Sequence, residues 1–228
     1  MVRALILADG DVPPRARLDH VWPGWDDGVG LVVAADGGAR HASELGLAID
    51  RWVGDGDSLD ADALAELEAS GVPLERARPD KDETDTELAI LAALRLGADG
   101  IVLLGALGGR IDHALANIGL LAMPALAGCP AVILDGSTRM SLLVAPGADG
   151  TPAMATLVGS VGDLVSLLPL GDAVVGVTTD GLVYPLDDEP LPAGTPRGLS
   201  NVIASAGASV GLRSGRLLVV ETTATFTA

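Results

Sequence analysis

The first two-thirds of the chain alternate short runs of β-branched and aliphatic residues with segments of helical periodicity. This alternation is typical of parallel strands joined by crossover helices. It predicts strands at 4–7, 31–34, 52–53, 74–76, 101–104 and 131–134, and helices at 38–45, 61–70, 85–96 and 112–121. The third helix has the clearest start and stop, because Thr84 and Glu87 form a capping box and Gly97 is a natural C-terminal stop.

From about residue 138 the helical period disappears, and short Val, Leu and Thr runs recur between Gly, Pro and Asp turns. This pattern suits a small antiparallel sandwich or barrel. We therefore predict an α/β N-terminal domain with a mostly parallel sheet and flanking helices, followed by a small all-β C-terminal domain. The expected ranges are 1–145 and 146–228, with the boundary placed loosely between 136 and 153.

Composition narrows the classes of function. No apolar run reaches the roughly eighteen residues of a membrane span, and the apolar stretch at the start is too short for a signal sequence, so we expect a cytoplasmic protein without membrane association. The formal charge of −17 and the pI near 4.2 disfavour nucleic acid and anionic lipid as partners. A phosphorylated ligand should therefore arrive with a divalent metal. The single cysteine, Cys129, excludes an internal disulfide.

The one lysine of the chain, Lys81, lies inside the acidic segment Asp80–Asp85, whereas all other basic residues are arginine. An ammonium group is a compact charge suited to a phosphate oxygen, and dense carboxylates suit Mg²⁺. The segment is thus interpreted as half of a metal-nucleotide site. Taken alone, it could equally be a solvated turn before a helix.

Two further carboxylates, Asp55 and Asp57, lie in the loop Gly54–Ser58 between a strand and a helix. They should emerge at the carboxyl edge of the sheet, where open α/β sheets bind ligands, and aim at one hard cation. Asp85 starts the capped helix on the same side, so we expect it to converge with them and with Lys81. The alternatives are a turn with a Ser N-cap, and an acid stabilised by the helix dipole.

The segment Gly105–His113 also leaves a strand and enters a helix. Gly108 and Gly109 would let backbone N–H groups approach phosphates closely, and Arg110 can pair with them in a bidentate fork. Asp112 adds another acid near a strand end. Tight turning between strand and helix is the alternative explanation for the glycines.

In the loop Ala35–Arg40, Asp36 is predicted to hold a ribose or a base edge, next to Gly37. Other signatures fail. A Gly-x4-Gly-Lys-Ser/Thr phosphate loop is absent from the sequence, and the one cysteine with three scattered histidines gives no zinc spacing. Gly207–Gly211 matches a serine-hydrolase elbow, but every histidine precedes it.

Taken together and in order, four segments resemble the motifs of the thiamine pyrophosphokinase family: Ala35–Gly38, Gly54–Ser58, Asp80–Asp85, and Gly108–His113 with Asn117. Gly181–Leu186 and Pro196–Asn201 look like that family's thiamine-binding β-domain. The resemblance covers nearly the whole chain. It implies transfer of a pyrophosphoryl group from ATP to the hydroxyethyl oxygen of thiamine, giving thiamine diphosphate and AMP.

The resemblance also implies roles for individual residues. Mg²⁺ would be held by Asp55, Asp57 and Asp85. The nucleotide and its phosphates would be surrounded by Lys81, Arg110, Asp112 and Asn117, together with Asp36, Gly37, Gly108 and Gly109. Alternatively, one of the acids would take the hydroxyl proton instead, and Asp57 and Asp112 are the candidates. Ser200 and Asn201 would help to hold thiamine, which in this family lies between the two domains at a homodimer interface.

The sequence departs from the family pattern at Gly56, where a bulky apolar residue is common, and in having no tryptophan after Trp52. Two rival functions fit the same residues. One is the same chemistry on another alcohol such as a hydroxymethylpterin, and the other is a non-catalytic nucleotide or thiamine sensor. The tail residues Ser200 and Asn201 favour thiamine, and the full set of acids favours an enzyme.

Overall fold

The computed structural model describes residues 2–78, 80–147 and 150–224. The chain divides into two compact units, Met1–Gly136 and Ser137–Ala228. This division lies at the start of the interval 136–153 in which the boundary was expected, and before the 145/146 limit of the expected ranges. The reason is that residues 138–145 form a strand paired along its whole length with the C-terminal strand Gly215–Thr222, which places them in the second unit.

All predicted strands and helices of the first unit are present, with small shifts at their ends. The strands are β1 (Arg3–Leu7), β2 (Val29–Ala35), β3 (Arg51–Gly54), β4 (Leu74–Arg76), β5 (Gly100–Leu104) and β6 (Ala131–Leu134). The helices are α1 (Arg15–Val21), α2 (Arg40–Glu44), α3 (Ala61–Ala69), α4 (Asp85–Arg95) and α5 (Ile111–Leu120), with 3₁₀ turns at Asp36–Ala39 and Pro124–Leu126. Helix α1 was not predicted, because Leu18 is its one buried residue and it carries no apolar period.

The six strands of the first unit form a sheet in the order β6-β5-β1-β2-β3-β4, and every neighbouring pair is parallel. The chain builds outwards from β1 to β4 and then returns through α4 to place β5 on the other side of β1. Strands β1 and β5 are therefore adjacent and parallel, but the next strand after β1 lies on one side of this pair and the next strand after β5 lies on the other. In open α/β sheets, ligands bind in the crevice outside the carboxyl ends of two such strands.

Burial on both faces explains the near-continuous apolar strands. All five residues of β5 are buried, and helix α4 packs Ala89, Ile90 and Ala93 against the sheet. Thr84 fixes the start of α4, since its Oγ1 accepts a hydrogen bond from the Glu87 N–H at 3.1 Å. Such a cap contributes about 1 kcal/mol. None of the helices in the described ranges is both long and apolar enough to cross a bilayer.

The second unit is all β, as predicted. Its strands are β7 (Thr138–Ala145), β8 (Ala153–Thr156), β9 (Leu164–Pro169), β10 (Val174–Asp180), β11 (Glu189–Leu191), β12 (Asn201–Val202), β13 (Ser209–Leu212) and β14 (Gly215–Thr222). They pair antiparallel in the orders β12-β9-β14-β7 and β11-β10-β13-β8. Side chains from both groups, including Val165, Leu217, Val177 and Val210, share one buried cluster, so the unit is a sandwich.

Candidate functional site

A cavity of about 710 Å³ lies at the carboxyl edge of the parallel sheet in the first unit. The loops after β1, β2, β3 and β5, the segment that leads into α4, and residues of α4 and α5 line it. The predicted site residues in its wall are Asp36, Lys81, Asp85, Gly108, Gly109, Arg110, Asp112 and Asn117. The topology thus brings together residues from four separate sequence segments.

Asp36 follows β2 and is 3% exposed. Its Oδ1 accepts a hydrogen bond from the Gly56 N–H at 3.0 Å, and its Oδ2 accepts one from the Ser58 N–H at 3.1 Å. Its carbonyl oxygen accepts a third from Trp52 Nε1 at 3.0 Å. Asp36 therefore holds the loop after β3 in place. This geometry differs from the predicted ribose contact, because both carboxylate oxygens are already engaged by backbone donors.

A cluster of carboxylates results from this arrangement. Asp36, Asp55 and Asp57 each offer an oxygen within 4.8 Å of the other two. Oxygen donors at this separation are the hard ligands that Mg²⁺ prefers. The predicted cluster contained Asp85 instead of Asp36. Gly56, which departs from the family pattern, has φ 84 in this loop, a conformation that favours glycine over a side chain with a Cβ.

Lys81 joins this cluster to helix α4. Its Nζ lies 3.0 Å from Asp55 Oδ2 and 3.0 Å from Asp85 Oδ1, and 13% of its side chain is exposed. The hydrogen bond from Lys81 lowers the pKa of Asp55. Burial raises the pKa of Asp85 against the opposing effect of Lys81. Burial lowers the pKa of Lys81, whereas the hydrogen bonds to Asp55 and Asp85 raise it. The net shift of this pKa is upward, so the ammonium stays charged.

At the other side of the cavity, the loop after β5 turns through Gly108 and Gly109, with φ 95 and φ 62, into helix α5. Arg110 forms a fork with Asp112: Nε lies 3.1 Å from Oδ1 and Nη2 lies 2.6 Å from Oδ2. The Arg110 hydrogen bonds lower the pKa of Asp112. Both side chains are largely exposed, and such exposed pairs contribute little to stability, so a phosphate could replace Asp112 as the partner of Arg110.

Asn117 on α5 is buried, and its Nδ2 donates a hydrogen bond to the Ala106 carbonyl at 2.9 Å. The amide therefore fixes the loop after β5 at the point where that loop enters the cavity. This contact favours a positioning role for Asn117 over the predicted direct contact with phosphate.

The loop after β1 also lines the cavity, although it is not among the predicted site segments. Gly10 N–H donates to the Gly105 carbonyl at 2.8 Å, and Asp11 N–H donates to the Leu107 carbonyl at 2.9 Å. A Cβ on Gly10 would lie 2.2 Å from the Leu107 oxygen, so the close approach requires glycine. Asp9 precedes it in the cavity wall. The available signal was an acid directly after a strand, the same signal that identified Asp36.

In the second unit, Asn201 is buried and its side chain holds the backbone of Tyr184. Its Oδ1 accepts from the Tyr184 N–H at 3.0 Å and its Nδ2 donates to the Tyr184 carbonyl at 2.6 Å. Tyr184 itself is 66% exposed, so its side chain is accessible to solvent. The exposed Ser200, with φ 56, donates its N–H to Ser166 Oγ at 3.1 Å. The two predicted thiamine residues thus adjoin an exposed aromatic ring.

Comparisons with known proteins agree over both units. The family model of the thiamin pyrophosphokinase catalytic domain matches residues 25–133, and that of the thiamin pyrophosphokinase vitamin B1 binding domain matches residues 157–217. The thiamine pyrophosphokinase of Bacillus subtilis (strain 168) is 24% identical over 200 residues, which are 88% of this chain and 91% of the relative.

Solved structures show the same fold. The crystal structure of thiamine pyrophosphokinase from Bacillus subtilis superimposes with a TM-score of 0.82 at 23% identity, covering 98% of this chain and 99% of that one. The thiamin pyrophosphokinase from Geobacillus thermodenitrificans gives a TM-score of 0.78 at 26% identity, with 98% of each chain covered. The order of motifs, the two-unit fold and both family models agree, and the chain belongs to the thiamine pyrophosphokinase family.

Proposed function

We propose that this chain transfers a pyrophosphoryl group from ATP to thiamine, giving thiamine diphosphate and AMP. The proposal assigns ATP to the α/β unit and thiamine to the β unit. The observation that carries it is the placement of Lys81, Asp36 and Asp85 in the wall of a sheet-edge cavity, with Asp55 and Asp57 clustered beside Asp36. The chain also matches both domains of the family.

Mg²⁺ is the metal that the donor set fits best, because the cluster of Asp36, Asp55 and Asp57 offers carboxylate oxygens within 4.8 Å of one another. We infer that Asp55 and Asp57 hold the ion, with Asp36 fixing their loop. Asp85 stays a proposed ligand, since Lys81 links it directly to Asp55. A bound Mg²⁺ supplies neutralisation of phosphate charge.

The cations of the cavity would position the triphosphate. Phosphoryl-type transfer depends mainly on in-line positioning and charge neutralisation. Lys81 is held in one orientation by two carboxylates, so its ammonium is preorganised for a phosphate oxygen. Arg110 can exchange Asp112 for phosphate, and the loop at Gly108 and Gly109 allows close approach of backbone N–H groups.

The reaction also needs an acceptor for one proton. The hydroxyl oxygen of thiamine forms a bond to the β-phosphorus, the bond from that phosphorus to the α,β-bridging oxygen breaks, and AMP leaves with the bridging oxygen. Asp57 and Asp112 are the two candidate bases. Arg110 engages both oxygens of Asp112 and lowers its pKa, which weakens it as a base. A bound Mg²⁺ would weaken Asp57 as a base in the same way, so Asp57 and Asp112 stay alternative acceptors of the hydroxyl proton.

Thiamine recognition is proposed for Ser200 and for Tyr184, whose backbone Asn201 holds. The exposed ring of Tyr184 offers a flat surface for the aromatic rings of thiamine in a chain that has no late tryptophan. By family resemblance we further propose a homodimer and, because ATP is a cytoplasmic co-substrate, a cytoplasmic location.

The test is to incubate the purified protein with ATP, Mg²⁺ and thiamine and to follow AMP and thiamine diphosphate together by chromatography. A hydroxymethylpterin serves as the parallel acceptor. We expect AMP and thiamine diphosphate in equal amounts when thiamine is the acceptor, and no product when the pterin is. Product with the pterin alone would overturn the assigned acceptor, and nucleotide binding without any product would point to a sensor.

A further inference from the structure

Asp9 is a cavity residue to which the proposed chemistry assigns no task. It follows β1, at the switch point between β1 and β5, and its side chain is 46% exposed. We propose that Asp9 binds the ribose of the nucleotide, accepting a hydrogen bond from a ribose hydroxyl. This inference rests on the proposed function insofar as that function places a nucleotide in the cavity.

The carboxylate of Asp9 is held in a fixed orientation. Arg40 Nη1 pairs with Asp9 Oδ1, while Arg40 Nη2 donates to the Asp9 carbonyl oxygen. Arg40 is itself anchored, because its Nη1 also lies 3.2 Å from the Gly37 carbonyl oxygen. Gly37 has no Cβ at the point of contact, where one would lie 2.1 Å from Asp9 Oδ1. A preorganised acceptor of this kind binds without further loss of side-chain entropy.

The other carboxylate oxygen of Asp9 is available to a ligand. Across residues 2–78, 80–147 and 150–224, no hydrogen bond to Oδ2 is formed by protein donors. A carboxylate repels phosphate oxygens, so the part of a nucleotide that faces it must carry a hydrogen-bond donor. In a nucleoside triphosphate the donors are the ribose hydroxyls and the amino group of the base.

Fold geometry favours the ribose. In doubly wound α/β sheets an acidic residue at the nucleotide crevice commonly accepts from a ribose hydroxyl. Asp36 is the acid that the sequence suggested for this task, but both its oxygens accept backbone hydrogen bonds and it is 3% exposed. Asp9 combines partial exposure, a fixed orientation and an available oxygen, and unlike Asp85, which Lys81 joins to the carboxylate cluster, it lies outside the proposed metal site.

The experiment is calorimetric binding of ATP, 2′-deoxyATP and 3′-deoxyATP, with Mg²⁺, to the full chain and to Asp9→Asn. Asp11→Asn is the matched control, because it removes the same charge from the same loop at a residue that does not line the cavity. In the unsubstituted protein we expect at least one deoxy analogue to bind about tenfold more weakly than ATP. Asp9→Asn should reduce that ratio severalfold, because Arg40 keeps the amide oxygen in the place of Oδ1 and an N–H donor replaces the acceptor Oδ2, whereas Asp11→Asn should retain it.

Several outcomes would overturn the inference. Equal binding of all three nucleotides to the unsubstituted protein would do so without any variant, and so would an undiminished ratio in Asp9→Asn. Weak binding of a purine riboside triphosphate, combined with normal binding of both deoxy analogues, would assign Asp9 to the base. The product assay separates this inference from the proposed function. If the protein discriminates between ATP and its deoxy analogues but forms no thiamine diphosphate, the ribose contact of Asp9 stands and the proposed function is rejected.

Discussion

Two carboxylates, one in each unit, are almost fully buried and hold a loop by its backbone N–H groups. Glu221 in the β unit is 1% exposed, and its Oε2 accepts from Val158 and Gly159 at 2.6 and 2.7 Å. Asp36 in the α/β unit is 3% exposed and accepts from Gly56 and Ser58. The local device is the same in both places, but the surroundings differ in charge.

Glu221 is neutralised within its own unit, since Arg139 Nη1 lies 2.7 Å from Oε1. Asp36 has two more carboxylates beside it, Asp55 and Asp57, and the ammonium of Lys81 reaches Asp55 alone among the three. Like charges this close raise the free energy of the folded state unless a cation compensates. The buried carboxylate of the β unit is thus paired with a cation of its own unit, whereas the three carboxylates of the α/β unit share one ammonium group. This excess negative charge is what the proposed binding of Mg²⁺ requires.

The largest expected effect is on catalysis, from Asp57→Asn. The substitution removes one charge from an exposed loop without changing packed volume. We expect kcat to fall by about 100-fold or more, as for the loss of a key electrostatic group, with the unfolding temperature nearly unchanged. AMP release and thermal unfolding measure the two quantities. Near-normal AMP production would refute the assignment of Asp57 to the metal site.

Glu221→Gln should show the opposite behaviour, a loss of stability without loss of turnover per folded molecule. Breaking a buried ion pair by removing one partner costs about 3 kcal/mol, because the charge of Arg139 is left uncompensated. Urea unfolding measures the change. The double variant Glu221→Met with Arg139→Met is the control, and it should recover part of the loss. A loss of unfolding free energy below about 1 kcal/mol would contradict the buried ion pair between Glu221 and Arg139.

Asp36→Asn falls between these two cases. The amide can accept from one backbone N–H but presents its own N–H₂ to the other, so the loop loses a hydrogen bond at a cost of about 2 kcal/mol. We expect kcat to fall roughly tenfold, because Asp55 and Asp57 lose their fixed placement. Asp50→Asn is the matched control, since Asp50 Oδ2 accepts from the Val32 N–H at 2.8 Å in the same unit. Equal kcat losses in both variants would contradict a specific role for Asp36.

The sequence was sufficient for the strand order along the α/β unit, apart from the missed helix α1, and for the convergence of the motifs. Parallel strands with crossover helices send their carboxyl ends to one edge, so Asp55, Lys81 and Asp112 could be placed there without coordinates. Hydrogen-bond partners could not be predicted. Asn117 and Asn201 look like ligand contacts in sequence, yet their amides hold backbone groups that the fold brings near, because polar groups need partners once they are buried.

The smallest effect concerns the titration of the metal-free cluster. The pKa of Asp85 is raised by burial and that of Asp55 is lowered by Lys81, so Asp85 should be protonated first as pH falls. Asp55, with a pKa below its unfolded value near 3.9, contributes stability that is present above that value and lost as pH falls through its folded pKa. The contribution of Asp85 to stability has the opposite pH dependence, because burial disfavours its ionised form in the folded state.

Lys81→Met tests this link, because it keeps a similar apolar stem and removes the charge that contacts both acids. We expect both carboxyl pKa values to rise, and that of Asp55 to rise more, since the Lys81 hydrogen bond is the main cause of its shift. Carboxyl-carbon NMR titration of the metal-free protein and the variant measures both groups. If Asp55 titrates at the same pH in both samples, the charge of Lys81 does not stabilise the ionised form of Asp55. The contrast between the paired Glu221 and the carboxylate cluster would then depend on the surroundings of Asp36 alone.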